Sequence, residues 1–385
     1  MRTARVNHRG TARWQRGHPW IFRSDVVDVP AGDAGAVLVQ TERGRNLGMA
    51  LWSPKSQISL RRLTSDERPI GPDFWRDRLE AAGLYRDSLA IQASAYRLVH
   101  GEADGLPSLV VDRYEGVLVV QFLSAGLEVY REPITAALLS LFAPSGILAR
   151  NDVPVRRAEG LPEQVELLYG SVPEELEVQE AGVRFVAAPW SGQKTGAFLD
   201  QRENRIRAGQ LARGRALDCF SYHGSFALHM ATQAAQVVAL DSSAPALLRA
   251  RQTAELNGFG NVATVEANVF DYLREQEALG VRFDTIVLDP PAFAKRRDAV
   301  DSALRAYKEI NLRALKLLAA GGLLHTYSCS HHVGPALFRQ MLDSAAADVR
   351  RPVRWIETRG QALDHPEILQ IPETAYLKGA ILQVQ

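Results

Sequence analysis

The feature that most constrains this fold is the regular alternation of apolar strand-like runs and amphipathic helical runs that begins near residue 186. Strands that alternate with helices pair in parallel and are covered on both faces. The pattern therefore predicts a doubly wound α/β sheet. Its predicted strands are 216–220, 237–241, 263–267, 284–289 and 323–330, its helices are 225–235, 244–257, 270–279, 299–319 and 334–347, and two terminal runs follow at 353–357 and 376–384.

The residues before this region show two other patterns. Short β-segments near 20–22, 36–41, 47–52 and 57–63 predict a compact β-module, which ends where Pro69, Gly71 and Pro72 interrupt the pattern. A helix at 73–92, β-like runs at 108–112 and 117–122, and helical residues at 128–142 then predict a small α+β domain. We expect three domains, with boundaries at 1–70, 71–185 and 186–385.

Length and composition exclude several classes of protein. At about 150 residues per domain, 385 residues suit two or three domains. With 46% hydrophobic and 23% charged residues the chain is not largely disordered. No run of about 18 apolar residues predicts a membrane span, and the first ten residues lack the apolar core of a secretory signal. Cys219 and Cys329 are too few for a disulfide framework or a four-thiolate metal site, so we expect a cytoplasmic protein without a membrane partner.

Positive charge is concentrated in the β-module. Residues 1–70 hold twelve Arg and Lys against six Asp and Glu, a net charge of +6, whereas the whole chain carries +1. Arginine and lysine bind phosphate backbones, and the rings of Trp14, Trp20 and Phe22 lie among the arginines, which suits stacking on unpaired bases. We therefore expect RNA binding through residues that include Arg13, Arg16 and Trp20. The alternative is a solvated arginine-rich face with the tryptophans in a small core.

Two predicted strands end in acids that suit an adenosine-containing ligand. Asp218 opens the segment D-C-F-S-Y-H-G, in which only Gly224 is present, so a G-x-G-x-x-G dinucleotide loop is disfavoured. Asp241, at the end of the next strand, can accept both hydroxyls of a ribose. A ligand without phosphates points to S-adenosylmethionine rather than NAD. The alternatives are an ordinary strand-to-helix turn, and an acid beside a helix capped by Ser242 or Ser243.

The fourth strand ends in Asp289-Pro290-Pro291-Ala292-Phe293. Two prolines fix the backbone and remove two N–H donors, so Asp289 and nearby carbonyls can meet the polar edge of a base. Phe293 is then available to stack on that base, and Lys295 follows where it could contact a phosphate. The alternative is a rigid structural turn.

The fifth strand ends in Ser328-Cys329-Ser330-His331-His332. A thiol at this edge can act as a nucleophile if nearby positive charge favours its thiolate. The alternative is a buried small hydrophobic residue, which we expect of Cys219. The adjacent histidines point to opposite faces and have no further ligand cluster, so we expect no metal.

A polar segment precedes the first predicted strand of the sheet. It runs K-T-G-A-F-L-D-Q-R-E-N over residues 194–204 and suits a strap over the cofactor. The alternative is structural, because Asp200 and Glu203 have the spacing of a helix-capping pair.

Taken together, these motifs resemble the bacterial large-subunit ribosomal RNA cytosine-C5 methyltransferase I family. K-T-G-A-F-L-D-Q-R-E-N, D-C-F-S-Y-H-G-S-F, D-P-P-A-F and Y-S-C-S-H-H occur in this order, with G-H-P-W-I-F, G-L-P-S-L-V-V-D-R-Y, Y-K-E-I-N and D-H-P elsewhere. The resemblance covers essentially the whole chain. It implies a PUA-like RNA-binding module, a small central domain and a class I S-adenosylmethionine-dependent methyltransferase domain with a Rossmann-like sheet.

The resemblance also implies roles for individual residues. Cys329 would attack carbon 6 of the target cytosine, and Asp289 would hydrogen-bond the base edge and stabilise the adduct. Pro290, Pro291, Phe293 and Lys295 join Arg13, Arg16 and Trp20 as candidate RNA contacts. The candidate cofactor contacts are Asp218, Phe220, Ser221, Tyr222, Gly224, Asp241, Ser242, Asn268, Asp289, Phe198, Asp200, Gln201 and Arg202.

Two positions depart from the pattern of related enzymes. Asn268 stands where the family often has an acid that contacts the adenine amine, although an amide oxygen can still accept that hydrogen bond. The D-P-P-A-F segment lacks the second cysteine of better-known RNA cytosine methyltransferases, and the base that removes the carbon-5 proton is unidentified.

Three rival functions stay open on the sequence. An amine methyltransferase acting on adenine or guanine would use D-P-P-A-F without a thiol. A degenerate, non-catalytic RNA-binding protein would lose S-adenosylmethionine binding, and an NAD oxidoreductase lacks its glycine pattern here. We expect ribosomal RNA, of the large subunit, as the partner. The sequence leaves the oligomeric state open and is compatible with a homodimer.

Overall fold

The computed structural model of the chain describes residues 2–30, 32–294 and 296–385. They form two compact units that each combine several stretches of sequence. The first unit contains Met1–Val178, Val186–Asp200 and Leu363–Thr374, and the second contains Gln179–Phe185, Gln201–Ala362 and Ala375–Gln385.

The first unit begins with a six-stranded sheet whose core holds Trp14, Ile21, Trp52 and Leu60. The four predicted β-segments are confirmed as strands, whereas two other short strands, Thr3–Val6 and Val26–Asp28, and the polar first helix were not predicted. The elements are β1 Thr3–Val6, α1 His8–Gln15, β2 Trp20–Phe22, β3 Val26–Asp28, β4 Gly35–Thr41, β5 Asn46–Trp52 and β6 Ile58–Thr64, in the order β2-β6-β5-β4-β1-β3. Only β1 and β4 pair in parallel among these strands.

The same unit contains a second sheet of five strands, covered by two longer helices. Phe74, Trp75 and Leu79 of one helix and Ile134 and Leu138 of the other are buried against it. Its elements are α2 Pro72–Ser88, β7 Ala95–His100, β8 Leu109–Tyr114, β9 Val117–Phe122, α3 Ala125–Glu128, α4 Arg131–Phe142, β10 Gly146–Arg150, α5 Val155–Glu159 and β11 Val165–Gly170, and the strand order is β11-β10-β9-β8-β7. The next element along the chain is a hairpin of β12 Leu176–Glu180 and β13 Val183–Ala187, in which Gln179–Phe185 belongs to the second unit.

The second unit contains the predicted doubly wound sheet, which has seven strands. The elements are α6 Arg202–Leu211, β14 Arg215–Cys219, α7 Ser225–Ala231, β15 Gln236–Asp241, α8 Ala244–Leu256, β16 Val262–Glu266, α9 Val269–Ala278, β17 Phe283–Leu288, α10 Val300–Leu317, β18 Leu318–Ser328, α11 Pro335–Val349, β19 Val353–Arg359 and β20 Lys378–Val384. The strand order is β16-β15-β14-β17-β18-β20-β19.

The strand order of this sheet reverses at β14. Strands β14 to β18 pair in parallel, and β14 lies between β15 on one side and β17 on the other. The chain therefore winds outward from β14 in both directions and leaves a crevice beyond its carboxyl end, which is where ligands bind in open α/β sheets. Strand β20 is antiparallel to β18 and β19.

A buried ion pair joins the β12–β13 hairpin to the helices of this sheet. Glu180 is 1% exposed, and both of its oxygens accept hydrogen bonds from the Arg205 guanidinium at 2.8 and 2.5 Å. Burial alone would raise the pKa of Glu180, but Arg205 and His229 outweigh it and lower the pKa to about 2.

Replacing Glu180 by Gln tests this pair. The variant leaves the Arg205 guanidinium buried without its counter-charge, so we expect a loss of about 3 kcal/mol in the free energy of unfolding at pH 7. Urea unfolding followed by circular dichroism measures it, with the exposed Glu174→Gln as matched control. Because the folded pKa lies below the unfolded one, the wild-type advantage should be present above pH 4.5 and disappear as the pH falls toward 2. Equal unfolding midpoints for both variants would contradict the prediction.

Candidate active site

Asp218, at the carboxyl end of β14, is a buried acid with one unsatisfied oxygen. Its Oδ2 accepts hydrogen bonds from Ser221 Oγ at 2.5 Å and from Ala227 N at 3.0 Å. Its Oδ1 is buried and has no hydrogen-bond partner in the described part of the chain. Burial raises the pKa of Asp218 to about 7, against these two hydrogen bonds and with help from the charges of Asp289 and Asp241. An orphaned acceptor of this kind suits a ligand donor.

The turn that follows Asp218 has an unusual backbone. Phe220 and Tyr222 have positive φ angles of 63° and 49°, a region that side chains other than glycine rarely adopt and that clusters at functional sites. Gly224 has φ of 79°, and a Cβ there would lie 2.9 Å from the Cβ of Ala250. Glycine is thus required where α7 begins, and the chain passes close to α8.

Asp241 fixes this turn from the neighbouring strand. Its Oδ2 accepts a hydrogen bond from Tyr222 N at 2.8 Å, and its Oδ1 accepts one from Ser243 N at 2.9 Å. A carboxylate has about four acceptor sites, so both oxygens can still receive ligand hydroxyls. Ser243, one of the two serines considered, caps α8 through its hydrogen bond from Ala246 N, and Ser242 is exposed.

Asn268 lies beyond β16, the next strand of the sheet. Its Oδ1 accepts hydrogen bonds from Phe270 N at 2.9 Å and Asp271 N at 3.4 Å, which makes it the N-cap of α9. The side chain is exposed. The role of Asn268 in binding adenine stays a prediction.

Asp289 is oriented by a chain of amide hydrogen bonds that the sequence did not reveal. Gln201 Nε2 donates to Asp289 Oδ1 at 2.8 Å, and Asn204 Nδ2 donates to Gln201 Oε1 at 2.6 Å. Asn204 is held in turn by Arg359 Nε, which donates to its Oδ1 at 3.0 Å. Gln201 was predicted as a cofactor contact, and the structure places it beside the predicted base-binding acid.

Cys329 lies next to the D-P-P-A-F loop, as expected for ends of adjacent parallel strands. Its Sγ is 4.0 Å from the carbonyl oxygen of Pro290, and the side chain is half-buried. Ser330 links the two segments, because its Oγ accepts a hydrogen bond from Ala294 N at 3.1 Å and lies 2.8 Å from Tyr307 Oη. The Y-K-E-I-N motif therefore contributes a buried tyrosine that anchors both loops.

The ring of Phe293 is packed in an aromatic cluster. Its centroid lies 4.7 Å from that of Tyr307, 6.2 Å from that of Phe270 and 6.3 Å from that of Phe220. These ring contacts hold the D-P-P-A-F loop in place. Stacking of Phe293 on a base stays a prediction, as do contacts of Pro290 and of the exposed Pro291, while Lys295 lies outside the described residues.

The predicted strap divides between the two units. In the first unit, Lys194 Nζ pairs with Asp200 Oδ2 at 2.7 Å and lies 4.7 Å from the centre of the Phe198 ring. In the second unit, the buried Arg202 pairs with Glu203. The capping interpretation of Asp200 and Glu203 is wrong, because the N-cap residue of α6 is Gln201 and no side chain caps it. Instead, Asp200 forms an ion pair with Lys194, and Glu203 forms one with Arg202.

The N-terminal basic residues line a cleft in the first unit. Its volume is about 520 Å³, and its lining consists of His8, Arg9, Ala12, Arg13, Arg16, His18, Gln370 and Pro372. Trp14 is buried, and Trp20 is half-buried with its Nε1 donating to Glu102 Oε1 at 2.8 Å. The core alternative is thus correct for Trp14, and stacking by Trp20 stays a prediction.

The described residues 2–30, 32–294 and 296–385 contain no group of three or more His, Cys, Asp or Glu side chains placed to hold a metal ion. Within those same ranges, no helix is both long and apolar enough to cross a membrane.

Family comparisons agree with the geometry of both regions. Residues 96–381 match the model of a family described as S-adenosylmethionine-dependent methyltransferase, and residues 4–65 match that of a PUA-like domain. The ribosomal RNA large subunit methyltransferase I of Vibrio cholerae serotype O1 is 39% identical over 381 residues, and that of Aeromonas hydrophila subsp. hydrophila is 42% identical over 381 residues. Each of these alignments covers 96% of both chains.

Solved structures share the fold over the full length. A candidate S-adenosylmethionine-dependent methyltransferase from Streptococcus mutans superposes with a TM-score of 0.84, and a candidate methyltransferase complexed with SAH superposes with 0.86. Both are 20% identical in sequence, and each match covers 100% of both chains. At this identity the likeness establishes the fold.

We expect the raised pKa of Asp218 to make cofactor binding sensitive to pH. Since an ionised Asp218 carboxylate would attract a cationic ligand, we expect the affinity for S-adenosylmethionine to rise about tenfold from pH 6 to pH 8. Calorimetry at both pH values measures this, and Asp218→Asn should flatten the rise. The ligand's own α-amino group titrates in this range, so the difference between wild type and variant isolates Asp218. The exposed Asp343→Asn serves as control, and an equal rise in the Asp218 variant would refute the assignment.

Proposed function

The chain belongs to the S-adenosylmethionine-dependent methyltransferase family, and we propose that it methylates carbon 5 of a cytosine in large-subunit ribosomal RNA through a covalent adduct with Cys329. It is an S-adenosylmethionine-dependent RNA methyltransferase. The observation that carries the finer proposal is the half-buried thiol of Cys329 beside the Asp289–Pro290 segment. The candidate cofactor-binding residues Asp218 and Asp241 lie at the same edge of the sheet.

The crevice at β14 fits the cofactor. Among the described residues, Asp218 offers a buried acceptor without a partner. Asp241 offers a carboxylate whose two oxygens accept hydrogen bonds from the backbone N–H groups of Tyr222 and Ser243. The strained turn at Phe220–Gly224 leaves backbone close to the crevice. When bound, S-adenosylmethionine supplies a methyl group on a positively charged sulfur. We propose that these residues hold it, together with Ser221, Ser242, Asn268 and the strap residues Phe198, Asp200, Gln201 and Arg202.

Cys329 supplies what a cytosine carbon needs for methylation. Carbon 5 of cytosine is a poor nucleophile, and addition of the Cys329 Sγ to carbon 6 makes it electron-rich. The thiol must lose its proton first, and the Sγ–C6 bond breaks again when the carbon-5 proton leaves. We expect Asp289, whose carboxylate accepts a hydrogen bond from Gln201, to bind the polar edge of the same base. The target base has to leave any stack to reach this crevice, which costs a few kcal/mol.

An exocyclic-amine methyltransferase is the second candidate. Asp289 and the two prolines after it would suit an amino group on adenine or guanine just as well. The presence of a half-buried thiol beside them favours cytosine, because the amine reaction needs no such group.

RNA is expected to bind the N-terminal module through its basic cleft. Arg13 and Arg16 line that cleft with Arg9 and two histidines. Phosphates contacted by arginine release condensed counterions, so such binding weakens steeply with salt. A cytoplasmic location follows from a ribosomal RNA substrate. The three-domain partition at 1–70, 71–185 and 186–385 and the homodimer stay predictions.

Replacing Cys329 by Ala tests the mechanism. We expect the wild type to label unmodified large-subunit ribosomal RNA from tritiated S-adenosylmethionine and to yield 5-methylcytidine after nucleoside digestion. The variant should bind S-adenosylmethionine normally and lose at least a thousandfold in methyl transfer, because the covalent step has no other thiol.

The buried Cys219→Ala is the matched control, since it removes the other cysteine and should retain methyl transfer despite some loss of packing. A methylated purine, or full activity of the Cys329 variant, would overturn the cytosine proposal in favour of amine methylation.

The RNA surface can be tested by removing charge from the cleft. We expect Arg13→Ala and Arg16→Ala each to weaken RNA binding and to reduce the slope of log affinity against log salt by about one. Filter binding at several salt concentrations measures both quantities. Arg43→Ala, in the exposed turn between β4 and β5, should change neither. Unchanged slopes for the first two variants would place the RNA elsewhere.

A further inference from the structure

Lys378 is a buried cation beside the Cys329 segment. It is 7% exposed, and it opens β20 directly opposite Ser328, the last residue of β18. Its Nζ donates hydrogen bonds to the carbonyl oxygen of Ser330 at 2.7 Å and to that of Tyr376 at 2.8 Å. The ammonium group therefore lies against the backbone of the residue that follows Cys329.

Burial of this ammonium group calls for a counter-charge. A buried lysine is normally paired with a carboxylate, because removing a charge from water without compensation is costly. Within the described residues, Lys378 forms no ion pair. Two carbonyl dipoles solvate the group but do not neutralise it. Burial lowers the pKa of Lys378 to about 8, and the charge of a Cys329 thiolate acts in the opposite direction.

Several other titratable groups lie in the segments around Cys329. Asp289 follows β17, the strand paired with β18, and a negative charge there opposes a thiolate. The hydroxyls of Tyr307 on α10 and Tyr327 on β18 are held neutral, since burial raises the pKa of both. Arg359 on β19 pairs with Glu357 and binds Asn204, and His331 and His332 are exposed. Within residues 2–30, 32–294 and 296–385, Lys378 is a buried cation beside the Cys329 segment.

We propose that Lys378 is a positioning residue that holds the Cys329 segment through the Ser330 carbonyl and stabilises the Cys329 thiolate with its ammonium charge. The inference rests on the proposed nucleophilic role of Cys329. In the step concerned, the S–H bond breaks, the electron pair stays on Sγ and the proton passes to water. Thiolates are favoured next to a lysine, and the thiolate is the form that attacks carbon.

The direct test is the pH dependence of Cys329 alkylation by iodoacetamide. The thiolate Sγ displaces iodide from the reagent's methylene carbon, so the rate follows the thiolate fraction. Mass spectrometry of the peptide that carries Cys329 separates it from Cys219, and Cys329→Ala gives the background. The assay needs neither cofactor nor RNA, so it measures the Cys329 thiolate even in a protein that transfers no methyl group. A failure of the proposed function is therefore distinguishable from a failure of this inference.

We expect Lys378→Met to move the midpoint of the alkylation profile up by about one pH unit, which slows the reaction at pH 7 about tenfold. Lys378→Arg keeps a cation in place and should stay within a few tenths of a unit of wild type. In methyl transfer, Lys378→Met should lower kcat and leave KM for RNA unchanged, because the thiolate acts after binding. A midpoint unchanged by Lys378→Met overturns the proposal.

Cys219 reports whether the variants fold. It is fully buried, so it reacts with iodoacetamide only when the sheet opens. If Lys378→Met labels at Cys219, Lys378→Gln replaces it as the uncharged variant, because its amide can still donate to a carbonyl. If that variant also unfolds, the wild-type profile decides alone. A midpoint below about 8.5, the ordinary value for a thiol, supports the proposal and one above it refutes it.

Discussion

The candidate active site depends on the reversal of strand order at β14. The chain places β15 on one side of β14 and β17 and β18 on the other. The carboxyl ends of these four strands therefore surround one crevice. At or just past the ends of these strands lie three carboxylates and a thiol, which belong respectively to Asp218, Asp241, Asp289 and Cys329. The residues are separated by up to 111 positions in the sequence, and the topology alone brings them to the same edge.

Electrostatics within the crevice is the next constraint. Three carboxylates lie near one another, and the pKa of Asp218 is raised by burial and by the charges of the other two. A concentration of negative charge suits a positively charged sulfonium ligand but disfavours a thiolate at the same edge. A cysteine nucleophile in this setting needs a cation close by, and in the described part of the chain Lys378 is a buried cation beside it.

The sequence predicted the strands and helices of the sheet well because both periodicities are strong in residues 186–385. It also placed Asp218, Asp241, Asp289 and Cys329 at strand ends. It missed α1, whose eight residues bury only Gly10 and Trp14, so its apolar pattern is too weak to detect. It also missed the supporting contacts of Gln201, Ser330 and Lys378. Hydrogen bonds between segments distant in the sequence leave no periodic signal, and their partners depend on strand register.

The antiparallel strand β20 explains how such a supporting cation reaches this edge. A parallel strand next to β18 would present its carboxyl end to the crevice and its first residue to the opposite edge of the sheet. Because β20 runs the other way, its first residue, Lys378, lies opposite Ser328 at the carboxyl end of β18. Tyr376, two residues before Lys378, supplies a second carbonyl to the ammonium group. The antiparallel pairing of β20 with β18 thus places the ammonium group of Lys378 beside the Cys329 segment.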